Sequence, residues 1–113
     1  MLKACVSIPP SANRIWRYVG SRPIKSREYR AWLDSTGREI ALANVGLTCI
    51  GKKCRVTISA ERPHASRDLD NTIKPLLDAL VASGKLEDDR LVHEIKAKWQ
   101  GKGTQVQISC QII

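Results

Sequence analysis

The clearest structural signal in the chain is a run of apolar residues with helical spacing near its middle. Its members recur at intervals of three and four residues: Ile73, Leu76, Leu77, Leu80 and Val81. This spacing places them on one face of an α-helix. Because proline is tolerated in the first helical turn, Pro75 predicts that the helix begins near Asn71 or Thr72, and Gly84 predicts its end.

Alternation of apolar and polar residues predicts β-strands on both sides of this helix. Residues 1–8 alternate and are followed by two prolines, which end the strand. Residues 47–60 alternate around Gly51 and Lys52, which predicts a hairpin. Residues 91–99 and 104–112 alternate as well, and the short glycine-containing segment 101–103 between them predicts a second hairpin.

A second helix is predicted over residues 27–43, with Ser26 as its N-terminal cap. Its apolar face would contain Tyr29, Trp32, Leu33, Ile40 and Leu42. The basic segment 10–26 has no sustained period and is predicted to be a long loop. The order of elements predicts an α+β fold in which residues 1–113 form a single domain, with one mixed β-sheet packed against two α-helices.

The charge of the chain indicates a polyanionic partner. Its 113 residues include 19 Lys and Arg against 11 Asp and Glu, a net charge of +8. Residues 1–67 hold thirteen basic and four acidic side chains, net +9, and residues 68–113 hold six and seven, net −1. Such an excess favours nucleic acid and argues against an enzyme that acts only on small molecules, so no small-molecule cofactor is expected.

No stretch resembles a signal peptide or a membrane span, so we expect a soluble cytoplasmic protein without a membrane partner. The four cysteines, Cys5, Cys49, Cys54 and Cys110, have no CxxC spacing, and neither histidine is placed to complete a zinc site. Reduced, buried thiols are therefore expected in place of a structural zinc site.

Two carboxylates lie two residues apart immediately before the central helix. In an extended segment Asp68 and Asp70 project to the same side, where they could bind one divalent cation such as Mg²⁺ through oxygen. Lys74, one turn into the helix, can lean back toward the same place. The alternative is structural: Asp70 or Asn71 caps the helix and stabilises its positive end.

A second acidic group, Glu87, Asp88 and Asp89, follows the helix and precedes a strand. If that strand pairs with the one ending near Ala60, Asp88 or Asp89 returns to the neighbourhood of Asp68. The alternative is an ordinary solvated turn. A metal-binding acidic cluster in a basic protein suits phosphodiester cleavage, because cations hold the backbone while the metal neutralises the phosphate and activates water.

The stretch 67–71 (RDLDN), followed by Lys74, residues 78–80 (DAL), Gly84 and residues 88–89 (DD), resembles the RusA family of Holliday junction resolvases. The opening residues 9–14 (PPSANR) are similar to the N-terminal motif of that family. The resemblance implies a homodimeric, Mg²⁺-dependent endonuclease that resolves four-way DNA junctions by paired symmetric nicks in recombination and repair. It also implies a bacterial, prophage or phage origin.

The same resemblance implies residue roles. Asp68, Asp70 and Asp89 match the catalytic acidic residues of the family, which hold Mg²⁺, and Lys74 matches its essential lysine. Asp88 remains an alternative to Asp89 as the ligand.

Candidate DNA-binding residues are basic side chains in two segments: Arg14, Arg17, Lys25 and Arg27 near the N-terminus, and Arg62 and Arg67 beside the acidic pair. Phosphate contacts from them would be independent of DNA sequence and sensitive to salt. Trp16 and Tyr18 lie among the first group and could stack on an unpaired base, or pack as core or dimer contacts. Arg62 and Arg67 could instead pair with the acidic residues.

Two other functions fit the same residues. One is a non-catalytic nucleic-acid-binding module, in which the carboxylates only cap a helix. The other is a Mg²⁺-dependent nuclease without preference for junctions.

Overall fold

The computed structural model describes residues 1–113 and confirms the α+β fold, a mixed sheet with two helices. The strands are β1 Leu2–Ser7, β2 Trp16–Val19, β3 Arg22–Lys25, β4 Cys54–Arg62, β5 Val92–Lys102 and β6 Gln105–Ile112. The helices are α1 Arg27–Ala43 and α2 Asp70–Ala82, and two short 3₁₀ turns span Ala12–Arg14 and Asp89–Leu91. The main sheet has the order β1-β6-β4-β5, in which only β4 and β5 are parallel.

Strand β4 lies in the interior of the sheet, between β6 and β5, and its inward-facing residues are apolar. Cys54, Val56, Ile58 and Ala60 all point inward and are at most 1% exposed. They belong to one cluster of 20 buried residues that includes the apolar faces of both helices. The side chains between them point to the opposite, polar side of the sheet. The helices therefore pack over one face of the sheet.

Helix α1 has the predicted bounds, and the Oγ atom of Ser26 accepts a hydrogen bond from the Tyr29 amide at 3.1 Å. The prediction for Leu42 was wrong, since this residue is 78% exposed. Gly37 is buried against α2, where an added Cβ would lie 3.4 Å from backbone atoms of Ala82 and Ser83. This glycine thus lets the two helices approach closely.

Helix α2 begins one residue earlier than the proline predicted. Asp70 is its first residue, which places Pro75 beyond the first turn and inside the helix. The missing amide of Pro75 costs only one hydrogen bond, and its ring is buried among the apolar residues of the core face. Packing therefore outweighs the local preference.

The segment predicted as a long loop contains a small hairpin. Strands β2 and β3 pair in antiparallel fashion from Trp16 opposite Lys25 to Val19 opposite Arg22. Gly20 has a φ of 65°, the left-handed conformation that its turn requires. The sequence did not reveal this hairpin because its strands bury no apolar face: all of β2 is exposed.

Both predicted hairpins of the main sheet were wrong. In the first segment only β4 is a strand, and Cys49 makes a single bridge to Leu86. In the second, β5 and β6 do not pair with each other, because β4 lies between them. The connection crosses the end of β4, where the Gly103 amide donates to the Arg62 carbonyl at 3.2 Å. Gly103 has a φ of 142°, a backbone conformation that L side chains rarely adopt, so this crossing favours glycine.

No disulfide joins the cysteines; Cys49, Cys54 and Cys110 are buried, and Cys5 is exposed. Neither helix has the length and apolar character needed to span a membrane.

Candidate active site

Three charged residues lie on one face of α2. Asp70, Lys74 and Asp78 are spaced four residues apart, so their side chains follow one another along the helix. Lys74 is 65% exposed, and its ammonium group extends toward the C-terminal end of this row. The prediction that Lys74 leans back toward Asp68 and Asp70 was therefore wrong in direction.

The Lys74 ammonium lies between two carboxylates. Its Nζ atom is 2.5 Å from Oδ2 of Asp89 and 3.0 Å from Oδ1 of Asp78. The hydrogen bonds to Asp89 and then to Asp78 raise the pKa of Lys74 above its ordinary value. The same contact with Lys74 lowers the pKa of Asp89. Lys74 and Asp89 are thus a charged pair at neutral pH.

Asp89 reaches this position because of the 3₁₀ turn that begins with it. Asp88 caps this turn, since its Oδ1 atom accepts a hydrogen bond from the Arg90 amide at 2.9 Å, and Leu91 anchors the turn in the core. The Asp88 carboxylate is therefore bonded within its own turn, whereas the Asp89 carboxylate contacts Lys74 on α2. The two neighbouring carboxylates, which the sequence does not separate, differ in their contacts.

The predicted pairing of the strand after Asp89 with β4 occurs, but it is parallel. In a parallel pair the start of β5 lies beside the start of β4, and Val92 is opposite Cys54. Asp89 contacts Lys74 on α2, whereas Asp68 follows the other end of β4. The return of Asp89 to the neighbourhood of Asp68 therefore stays a prediction, since the contact that the structure gives Asp89 is with Lys74.

Asp68 and Asp70 are exposed and take part in no salt bridge. Asp68 accepts a weak hydrogen bond of 3.4 Å from the Asn71 side chain. The residue before the helix is Leu69, and no side chain caps this end. The alternative explanation, that Asp70 or Asn71 caps the helix, therefore does not account for these residues.

The structure does not gather the predicted metal ligands into one cluster. No group of three or more His, Cys, Asp or Glu side chains is arranged to hold a metal ion. Asp68 and Asp70 stand at the start of α2, and Asp89 is joined to Lys74 one turn further along. The chain thus brings Lys74 and Asp89 together and leaves the other two carboxylates open to solvent.

A cleft of about 380 Å³ lies beside Asp89. Asp78, Asp88 and Asp89 line it from the acidic side, and Lys25 lines it from the end of β3. Lys25 belongs to the basic arm, which we define as residues 14–27. The structure therefore brings one predicted DNA-binding residue to the edge of the acidic site.

The other arm cations are exposed to solvent, and Arg14 alone has an ion pair, with Glu28 at 3.2 Å. Arg17 and Arg27 have no acidic partner. Trp16 and Tyr18 are 49% and 68% exposed. These two aromatic residues thus do not pack in the core, whereas a contact with DNA or with a second copy of the chain stays a prediction.

Arg62 and Arg67 hold the loop that precedes the acidic residues. Arg62 donates to the carbonyl oxygens of Ala65 and Arg67 and lies 5.5 Å from the ring centre of Trp99. Arg67 donates to the Pro9 carbonyl at 2.8 Å, and partial burial lowers its pKa. Neither arginine pairs with Asp68 or Asp70, so the expected ion pairing is absent.

Sequence reasoning did not assign a role to Asp78 or Tyr29. The Tyr29 hydroxyl donates to Oδ2 of Asp78 at 2.7 Å, which joins α1 to the row of charges on α2. The spacing of four residues from Lys74 was a signal for Asp78. Tyr29 lies 49 residues away in sequence, and only the packing of the helices reveals its contact.

A small basic α+β domain, with a lysine held between carboxylates beside a cationic arm, belongs to the class of proteins that act on nucleic acid. The sequence model of the family described as "Endodeoxyribonuclease RusA" matches residues 7–110. The chain belongs to the RusA family of endodeoxyribonucleases.

Curated relatives agree with this assignment. A protein of Enterobacteria phage HK97 named crossover junction endodeoxyribonuclease rusA is 34% identical over 92 residues, 78% of this chain and 73% of the relative. Proteins of the same name from Escherichia coli O139:H28 and Escherichia coli K12 are 37% and 36% identical over 91 residues, with the same coverage. The recognition of the family from the RDLDN segment and the residues after it is thereby confirmed.

Proposed function

We propose that this chain is a Mg²⁺-dependent endonuclease that resolves four-way (Holliday) DNA junctions by paired symmetric nicks during recombination and repair. The observation that carries the proposal is the contact between Lys74 and Asp89 within a chain of the RusA family. Two residues far apart in the matched motif meet with opposite charges, and one of them, Asp89, lines a cleft. An array of fixed charges is what stabilises a transition state with developing negative charge.

The exposed carboxylates fit a magnesium site. Mg²⁺ is usually held by one or two protein carboxylates, with water and substrate phosphate completing its shell. Asp68 and Asp70 have free carboxylate oxygens, and we assign the ion to them. Asp89, which contacts Lys74 in the structure, would join them as a third ligand once the ion is bound. When bound, the ion neutralises the scissile phosphate and lowers the pKa of a water molecule.

Other side chains of the protein stabilise charge at the scissile phosphate and bind the DNA backbone. Lys74 places a fixed positive charge beside the phosphate. Arg14, Arg17, Lys25 and Arg27 bind the phosphate backbone on either side, because their ammonium and guanidinium groups are exposed. The proposed role of Arg62 and Arg67 in DNA binding is narrower: their hydrogen bonds to carbonyl oxygens hold the loop that carries Asp68.

Two copies of the chain match a four-way junction, because a symmetric dimer places two equivalent sites on a substrate with twofold symmetry. We therefore propose a homodimer as the active form. We place it in the cytoplasm of a bacterial cell, where such DNA occurs, since the relatives come from bacteria and a phage.

A non-catalytic DNA-binding module is the second candidate. It would use the basic arm in the same way, but it leaves the uncapped, exposed Asp68 and Asp70 without a role. The acidic residues therefore favour the enzyme.

The test is a gel assay of the purified protein on a mobile four-way junction and on a matched linear duplex, with Mg²⁺ or with EDTA. We expect paired nicks in the junction with Mg²⁺ only. Asp70→Asn should lower cleavage by at least about 100-fold while junction binding is kept. Asp34→Asn, which removes an exposed carboxylate from α1, is the matched control. Tight binding without cleavage by the unmodified protein would leave the binding module as the better proposal.

A further inference from the structure

Asp78 uses its two carboxylate oxygens for two different partners. Oδ1 lies 3.0 Å from the Lys74 ammonium on the same helix, and Oδ2 accepts the hydrogen bond from the Tyr29 hydroxyl on α1. The side chain is about one quarter exposed, at 26%. A carboxylate held on both sides in this way has a fixed orientation, and so does the lysine that it contacts.

Tyr29 is well suited to hold Asp78 in place. It is 1% exposed and stacks on Trp32, with ring centres 6.1 Å apart and planes 15° from parallel. Trp32 is anchored in turn, because its indole Nε1 donates to the Ser7 carbonyl at 3.1 Å. Burial raises the pKa of Tyr29, so the hydroxyl stays protonated and remains a donor. The hydrogen bond from Tyr29 to Asp78, and the ion pair of Asp78 with Lys74, thus connect the core of the domain to the Lys74 ammonium.

Lys74 has two carboxylate partners, but one of them, Asp89, is also a proposed ligand of the metal ion. A carboxylate that binds a divalent cation has less negative charge to offer an ammonium group. With Asp89 as its single partner, Lys74 would lose its position when the ion binds. Asp78 is anchored through Tyr29 and remains available.

We propose that Asp78 is a positioning residue, oriented by Tyr29, that keeps the Lys74 ammonium at the active site while the Asp89 carboxylate binds the metal ion. The role of Asp89 in this statement rests on the proposed function. The contact by which Asp78 positions the Lys74 ammonium does not rest on the proposed function, and it can be measured without DNA or metal.

The first experiment follows the ¹⁵N-labelled lysine ammonium groups by NMR in metal-free protein. An ammonium held by carboxylates exchanges its protons slowly enough to give a signal, and Lys74→Ala identifies the signal of this residue. We expect the signal to persist in Asp89→Asn and to vanish in the double variant Asp78→Asn/Asp89→Asn. Its loss in Asp89→Asn alone, or its survival in the double variant, would overturn the proposal.

The second experiment measures single-turnover cleavage with the protein in excess over a four-way junction, so that binding does not limit the rate. Asp78→Asn should cleave about tenfold more slowly, as is common when a group that orients an active-site residue is removed. Its dissociation constant for the junction and its melting temperature should change little. In a Lys74→Ala background, the same substitution should have no further effect.

Additive losses in this double-mutant cycle would show that Asp78 does not act through Lys74, and would overturn the proposal. Asp34→Asn is the control, because it removes a carboxylate that pairs with Arg38 four residues away on α1. If the unmodified protein cleaves no junction, the proposed function fails, whereas the ammonium signals still decide whether Asp78 holds Lys74. The two failures are therefore distinguishable.

Discussion

The acidic site on α2 and the basic arm differ in how their charged side chains are held. Lys74 has two carboxylate partners within 3.0 Å, and one of them is tied to the core through Tyr29. In the arm, Arg14 alone has an ion pair, and the aromatic side chains of Trp16 and Tyr18 are about half or more exposed. The site is organised before a substrate arrives, whereas the contacts of the arm await a partner.

This difference matches the demands of the two tasks. Fixed charges stabilise a transition state because they need no reorganisation during the reaction. Phosphate binding tolerates flexible cations, because its energy comes mainly from neutralising the backbone and releasing counterions. Substitutions in the two regions should therefore affect different steps.

The largest effect is expected at the site. Lys74→Ala should lower single-turnover cleavage of a four-way junction by about 100-fold, because it removes a preorganised positive charge beside the phosphate. Junction affinity in a gel-shift assay should fall by less than about threefold, since one phosphate contact of many is lost. Lys85→Ala, which removes a lysine beyond the end of α2, should leave the cleavage rate unchanged. If Lys74→Ala lowered the affinity and the cleavage rate by the same factor, this lysine would act in DNA binding, like the cations of the arm.

An intermediate effect is expected in the arm. Arg17→Ala should weaken junction binding several-fold and make the slope of log affinity against log salt shallower by about one unit. The cleavage rate at saturating protein should stay unchanged, because Arg17 contacts none of the site residues. Arg38→Ala, an exposed arginine on α1 that pairs with Asp34, serves as the control. A reduced rate with an unchanged salt slope would contradict the separation of binding from chemistry.

The smallest effect concerns the stability of the folded protein. Lys74 lowers the pKa of Asp89 below its ordinary value of 3.8, so the pair stabilises the fold above that value and loses this contribution as the pH falls through the folded pKa. Asp89→Asn should therefore lower the melting temperature slightly at pH 7, and the difference should shrink toward zero below pH 3.8. The effect is small because Lys74 is 65% exposed and water screens the pair. A difference that stays constant from pH 7 to pH 3 would show that the charge of Asp89 does not matter for stability.

Local patterns predicted individual elements well. Helix α1 has the expected ends because Ser26 supplies a cap within the local sequence, and α2 has its apolar face where the spacing placed it. Strand pairing was predicted poorly. The partner of a strand depends on which strands compete for the interior of the sheet, and the apolar β4 takes the place between β5 and β6. The exposed β2–β3 hairpin was missed because it has no buried face to create a pattern.

The candidate site shows the same division. The motif identified Asp68, Asp70, Lys74 and Asp89 as residues of interest, and Lys74 does meet Asp89. The sequence did not separate Asp88 from Asp89, which differ because one caps a 3₁₀ turn and the other faces α2. The place of Asp89 along the helix depended on the parallel pairing of β4 and β5.

The amino-acid sequence alone was enough for the fold class, the two helices, the basic front half and the family. Each of these depends on composition or on spacings within one segment, and such information survives without tertiary contacts. Tertiary structure alone decided the order of the strands, the side to which Lys74 turns and the hydrogen bond of Tyr29 with Asp78. These features join residues from 15 positions apart, as for Lys74 and Asp89, to 108 positions apart, as for Leu2 and Cys110, and the competition of whole elements for one buried core sets their distances.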